Sequence, residues 1–375
     1  MGSNDERLRR DATTAIASGH IVALFAFDVG YEVVLDRVHQ LASPQPVQPL
    51  SGKKQTPSYL QYTRPPLKLD CGYVEPDNPA SGDVQATLFD FGAVSMSYRI
   101  PLTWNGTRPL IDDLPAISRQ LHERMLERDA RDRIASLMER IEAAIVRPSL
   151  SALVEDYYLI VLERLEPELT AEQLMEGHRH ALAHALQFES GGLSRHQQEE
   201  ALAQRISYYH GDLVLVDWNA AIIYDREYED AASVLELLNV ELLEARFTDA
   251  EIDKHIEAVS GLLHQRTGWS IPFRTPYKRT LNDLAELQIA SSVLAERVDN
   301  ALKLIGDLYL ARLHAAAARR FYLLEWEQAI SRKLGIIDNY YRLLTDRVRT
   351  AQSQTLELVV ILLILVELLL ALLRR

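Results

Sequence analysis

The 375-residue chain holds a single cysteine, Cys71. One thiol excludes a disulfide framework and every zinc or redox motif built on a cysteine pair. Positive charge is short as well: 40 Lys and Arg stand against 53 Asp and Glu, a net charge of −13. That balance argues against general binding to a phosphate backbone, which takes clustered positive charge. No Gly-x-Gly-x-x-Gly, Walker loop, His-Glu-x-x-His or Gly-x-Ser-x-Gly occurs. The phosphate cradle, the helical zinc pair and the nucleophile elbow are therefore missing. The start, MGSNDERLRRDATTA, has no apolar core and carries early acids, against the pattern of an export signal or transit peptide. It also lacks the Ser or Thr of a myristoylation motif. The remainder is ordinary globular composition, 47 % hydrophobic and 25 % charged, with a length prior of two or three folding units.

What the sequence does have is an aliphatic carboxy-terminal run. Residues 356 to 373 read LELVVILLILVELLLALL, with Glu357 and Glu367 as the polar members. Eighteen residues make a helix of roughly 27 Å, near the thickness of a bilayer's hydrocarbon layer. Arg347 and Arg349 precede it, and Arg374 and Arg375 follow. This pattern predicts one transmembrane helix over 356–373, hence a single-pass tail anchor with the soluble part in the cytoplasmic compartment of synthesis. The competing reading is a helix buried inside an oligomer, which the two acids keep open. Within a span, Glu367 would need a protonated state or a polar partner. It is thus the candidate intramembrane contact between copies.

Residues 1 to 226 predict an α+β head of mixed strand and helix order. HIVALFAF, 20–27, is an apolar strand, and Asp28 is expected to open a helix through Val38 and Leu41. Six prolines between 43 and 66 mark an extended loop. A hairpin turns near Gly92, residues 111–147 are mostly helical, and 155–165 form a further strand. Thr170 with Gln173 and Ser194 with Gln197 have capping-box spacing. YYHGDLVLVDWNAAIIYD, 208–225, reads as two strands turning at Asp217-Trp218-Asn219. From 227 to 355 the chain becomes a helical stalk. Leu334, Ile337, Tyr341, Leu344, Val348 and Ala351 form a short heptad seam, suited to a coiled coil between copies or a hairpin within one chain.

For chemistry, the strongest cluster is His178-Arg179-His180-Ala181-Leu182-Ala183-His184. His180 and His184 share one helix face, as a metal pair requires, and His178 lies opposite. Two ligands are too few, so others such as His196, His210, Asp212 or Glu189 would have to join them. The competing reading sets both histidines beside the apolar stripe of Leu182, Ala185 and Leu186. A weaker cluster interleaves Arg266, Arg274, Lys278 and Arg279 with Trp269, Phe273 and Tyr277, a pattern compatible with RNA.

Three pieces together resemble the "required for meiotic nuclear division" family. They are the hairpin TLFDFGAVSMSY (87–98), the helix GHRHALAHALQFE (177–189), and the polar-to-apolar junction LLTDRVRTAQSQTLELVVILLILVELLLALL (343–373). VDWNAAIIYDREYED, 216–230, lacks the proline that the family carries there, so the resemblance is to a distant, bacterial-like branch. It implies membrane attachment, oligomerisation and no established enzyme activity. The expectation is a tail-anchored, homo-oligomeric membrane scaffold with a protein partner and no cofactor. The alternatives are a metal-dependent membrane-bound enzyme using His180 and His184, and an RNA or ribosome tether. Nucleic acid is not the expected partner.

Overall fold

The computed structural model describes residues 14–42, 45–46, 65–74, 82–102, 108–124, 126–189, 191–264 and 308–373. The strands are β1 (Ala15–Asp28), β2 (Gly30–Val33), β3 (Gln45–Pro46), β4 (Leu67–Tyr73), β5 (Asp83–Leu88), β6 (Ala93–Pro101), β7 (Ile145–Pro148), β8 (Val154–Glu166), β9 (Gln204–Ile206), β10 (Leu213–Val216) and β11 (Ala220–Tyr224). The helices are α1 (Leu35–Leu41), α2 (Leu114–His122), α3 (Leu126–Ile141), α4 (Ala171–Gly177), α5 (Arg179–Leu186), α6 (Arg195–Ala201), α7 (Glu229–His264), α8 (Leu308–Arg320) and α9 (Leu323–Leu373).

One nine-stranded sheet, in the order β3-β4-β5-β6-β1-β8-β11-β10-β9, organises the head, and β2 and β7 pair separately. Its neighbours are antiparallel except β8 and β11, which run parallel. β1 sits centrally because it is long and apolar on both faces. Its odd-numbered side chains Ile21, Ala23, Phe25 and Phe27 join Tyr158, Ile160 and Leu162 of β8 and the buried sides of α2, α3 and α5 in one core. The even-numbered side chains face the other way. That second face meets α7, whose Asn239 donates through Nδ2 to the carbonyl of Glu155 at 3.1 Å. Residues Val234 to Leu243 of α7 are buried throughout.

Local chemistry fixes several ends. Thr170 and Gln173 form a reciprocal capping box at α4, and Ser194 caps α6 through Gln197 N. Gly92 turns the β5–β6 hairpin at φ 99°, where an added Cβ would sit 1.9 Å from the Gly30 carbonyl oxygen. Asp28 does not open a helix: β1 runs through it, β2 follows, and α1 starts only at Leu35. The β-branched Val29, Val33 and Val34 favour this extended course.

Residues 1–245 with 297–324 form one compact unit, and 246–296 with 325–375 form another. Within the second, the end of α7 meets the start of α9. Lys333 Nζ lies 2.7 Å from both Asp249 Oδ1 and Asp253 Oδ2, while Ile252 and Ile337 are buried. These two segments therefore pair inside one chain. Of the heptad seam, Leu334 is half-buried, Ile337 buried and Tyr341 exposed.

The predicted membrane span is corrected by the fold. Among the described residues, no helix is long and apolar enough to cross a membrane. Residues 356–373 are instead the end of the 51-residue α9. The uninterrupted apolar run between Glu357 and Glu367 is nine residues, about 13 Å of helix, against roughly 30 Å of hydrocarbon. The fold class is thus α+β with a large mixed sheet and helices, without the carboxy-terminal transmembrane helix. The tail anchor and the single-pass membrane localisation fall with it, and Glu367 is an exposed residue of α9.

Candidate functional site

The three histidines of the 178–184 cluster do different things. His178 is buried at the joint between α4 and α5. Its Nε2 is 3.1 Å from Thr14 Oγ1 and its Nδ1 3.4 Å from Asp112 Oδ1, so it ties the amino-terminal edge of the head to the 3-10 turn Ile111–Asp113. His180 and His184 share a face of α5, with ring centroids 4.0 Å apart and planes at 22°. His184 is only 1 % exposed, and its Nδ1 is 3.1 Å from the Glu189 carbonyl oxygen. Burial, and then the neighbouring His180, hold its pKa below the ordinary histidine value. Rings stacked this way direct their nitrogen lone pairs side by side rather than towards one point. Among the described residues, no group of three or more His, Cys, Asp or Glu is placed to hold a metal ion. Asp212, one of the further ligands considered, accepts from the backbone N–H groups of Tyr208 and Tyr209. The basic–aromatic stretch 266–279 lies outside the described residues.

Sequence reasoning missed two polar centres on the α7-facing side of the sheet. In the first, His20 Nδ1 lies 3.0 Å from Glu163 Oε1, and Ser18 Oγ donates to Glu163 Oε2. The Tyr228 ring meets the His20 ring edge-on at 4.9 Å, with Arg99 over Tyr228. Burial, followed by Arg99, lowers the His20 pKa to about 4. The imidazole is therefore neutral near pH 7. The second centre follows from register. Ala26 pairs with Ser95 on one side and Glu155 on the other, and Ser95 pairs with Thr87. Small and polar residues thus form one row across four strands. Next to it, Asp28 raises the pKa of the buried Glu244 on α7, an effect smaller than that of burial itself. Both centres join residues far apart in sequence, so composition and spacing carried no signal for either.

A third centre holds the β10–β11 turn. Asp217, fully buried, accepts from Arg320 Nε at 2.6 Å and from the Gln187 side chain. Arg320 also reaches Glu200 at 3.1 Å. Trp218 and Phe321 meet edge-on beside this ion pair. Arg320, in the basic and aromatic stretch ARRFYLLEW (318–326), is thus engaged inside the head.

The feature left without cover is on α9. Leu356, Val359 to Val366, Leu369 and Leu370 are all exposed, from 41 % at Val359 to 71 % at Leu356. They occupy every side of the helix, since consecutive residues step about 100° around its axis. Glu357 and Glu367 are also exposed and flank the central eight, Val359 to Val366.

The family model described as "Uncharacterized protein MJ0711, N-terminal domain" matches residues 18–231. The chain belongs to that family, and the match covers the sheet from β1 to the beginning of α7. "Uncharacterized protein MJ0711" of Methanocaldococcus jannaschii is 27 % identical over 175 residues, 46 % of this chain and 53 % of the relative. The chain thus spans about half the length of that curated relative. No solved structure matches. Nothing in these comparisons indicates the "required for meiotic nuclear division" family. The hairpin 87–98 and helix 177–189 lie inside the matched MJ0711-type domain, and the third supporting piece, 343–373, is not a membrane span.

Proposed function

We propose that this chain is an assembly and interaction protein: α9 gathers copies of it, and the α+β head is the part offered to a protein partner. The observation that carries the reading is the exposed apolar end of α9. Soluble monomers rarely expose contiguous apolar patches beyond a few hundred Å². A helix that is apolar on all sides is buried in its working state. One partner helix covers only a stripe, so the stretch favours a bundle of three or more copies. Glu357 and Glu367 set its length at the two ends. The head supports a binding rather than a catalytic role through its acidic charge and the absence of a catalytic motif in the sequence.

The test places charge on the stretch in the full-length chain. Ile361 and Leu365 are one turn apart and more than half exposed, so Ile361→Arg with Leu365→Arg should leave the fold of one copy intact. The wild type should sediment as a discrete oligomer and the double variant as a monomer, with unchanged circular dichroism. Equal masses for the two would overturn the proposal.

A further inference from the structure

The head contains a cavity of about 420 Å³ between the end of β6 and α2. It lies on the core side of the sheet, away from the His20 and Glu244 centres. Its floor is apolar: Ile21, Ile100, Leu102, Ile117 and Leu121 line it. Arg108, Asp113, Gln120 and Arg124 line it as well, and three of these are already placed by other interactions or by exposure. Asp113 Oδ2 accepts from the Leu110 backbone N–H at 2.8 Å. Arg108 is 2.7 Å from Glu166 and half exposed, as is the solvent-facing Gln120. Arg124 is half-buried, and no ion pair is formed by its guanidinium among the described residues. The space is a cleft open to solvent on one side, and its size falls within the range of small-molecule pockets.

We infer that this cavity binds a small monocarboxylate with an apolar chain. The aliphatic floor takes the chain, and Arg124 takes the carboxylate. Guanidinium matches carboxylate geometry with two parallel N–H donors. At about 30 Å³ per water-sized group, the volume accepts roughly a dozen non-hydrogen groups. A ten-carbon acid has that size. An uncharged alcohol of equal length would fill the same floor and leave the arginine unanswered. A cationic amphiphile would place like charge beside Arg108 and Arg124.

Decanoate is the probe, titrated calorimetrically into the full-length chain below its micellar range, with decanol and decylamine alongside. One decanoate per chain should bind, decanol at least tenfold more weakly, and decylamine not measurably. Arg124→Gln, at a half-buried position, should weaken decanoate at least tenfold while leaving decanol unchanged. Ile117→Trp should narrow the apolar floor and weaken both. Circular dichroism checks the fold of each variant, and Arg124→Gln decides the question if the tryptophan variant does not fold. Three results would overturn the inference: no decanoate binding, equal decanoate and decanol affinity, or unchanged decanoate affinity in folded Arg124→Gln. The last would place the probe elsewhere, such as on the apolar end of α9.

Discussion

Replacing His20 with glutamine should remove a specific pH dependence from the stability of the head. The imidazole is 4 % exposed, beneath Tyr228, with Nδ1 3.0 Å from Glu163. Burial and the Arg99 charge disfavour the imidazolium more than Glu163 favours it, so its pKa falls from 6.5 to about 4. The folded value lies below the unfolded one, so as pH drops the unfolded chain takes the proton first. Stability is intact above pH 6.5 and is lost as pH falls towards 4. Linkage gives a loss of about 2 kcal/mol between pH 8 and pH 5, rising to about 3 kcal/mol below pH 4. Glutamine keeps an amide N–H for Glu163 and does not titrate. Urea unfolding of wild type and His20→Gln, followed by tryptophan fluorescence from pH 8 to pH 5, isolates the effect, because every other acid is common to both. The wild type should lose about 2 kcal/mol relative to the variant over that range. A difference that stays flat, or one in which the wild type gains as pH falls, would refute the reasoning. The second outcome would mean that Glu163 outweighs burial and His20 folds as the cation.

Two further perturbations bear on the buried charges. Burial, and then Asp28, hold the Glu244 pKa well above the carboxyl range, so its folded value is raised and stability declines as pH rises beyond the unfolded value. Glu244→Gln should stabilise the chain by on the order of 1 kcal/mol at pH 7 and by nothing near pH 4, measured by denaturant midpoint. Arg320→Met strands the buried Asp217 carboxylate and should cost about 3–5 kcal/mol in thermal unfolding, most of it recovered when Asp217→Asn is added. Full additivity of those two changes would show that the pair is not coupled.

Much of the head was legible in the sequence, because its signals are local. The apolar run 20–27 lies inside β1, the hairpin around Gly92 is β5 and β6, and Thr170 and Ser194 cap the helices their spacing marked. The course after Asp28 was not legible, since its valines fit a helical face and an extended strand equally well. The polar centres were hidden for a different reason. Ser18 and Glu163 are 145 residues apart, and Asp217 and Arg320 are 103 apart. Such pairs arise only when the register of β1 against β8, or the docking of α8, is known. His180 and His184 were brought to one face as their spacing requires, but the stacking of their rings depends on burial that spacing does not reveal. In the carboxy-terminal run, a lipid-facing helix and a bundle-core helix share the same aliphatic composition. Glu357 and Glu367 cut the run to nine residues, and that weighs against the span.

The mass of the full-length chain in solution tests assembly through α9 most directly. Sedimentation equilibrium over a hundredfold range of concentration should give a discrete species of three or more copies of the 42.6 kDa chain. A monomer of 42.6 kDa at every concentration would contradict it, because the apolar end of α9 would then stay exposed without a second copy to cover it.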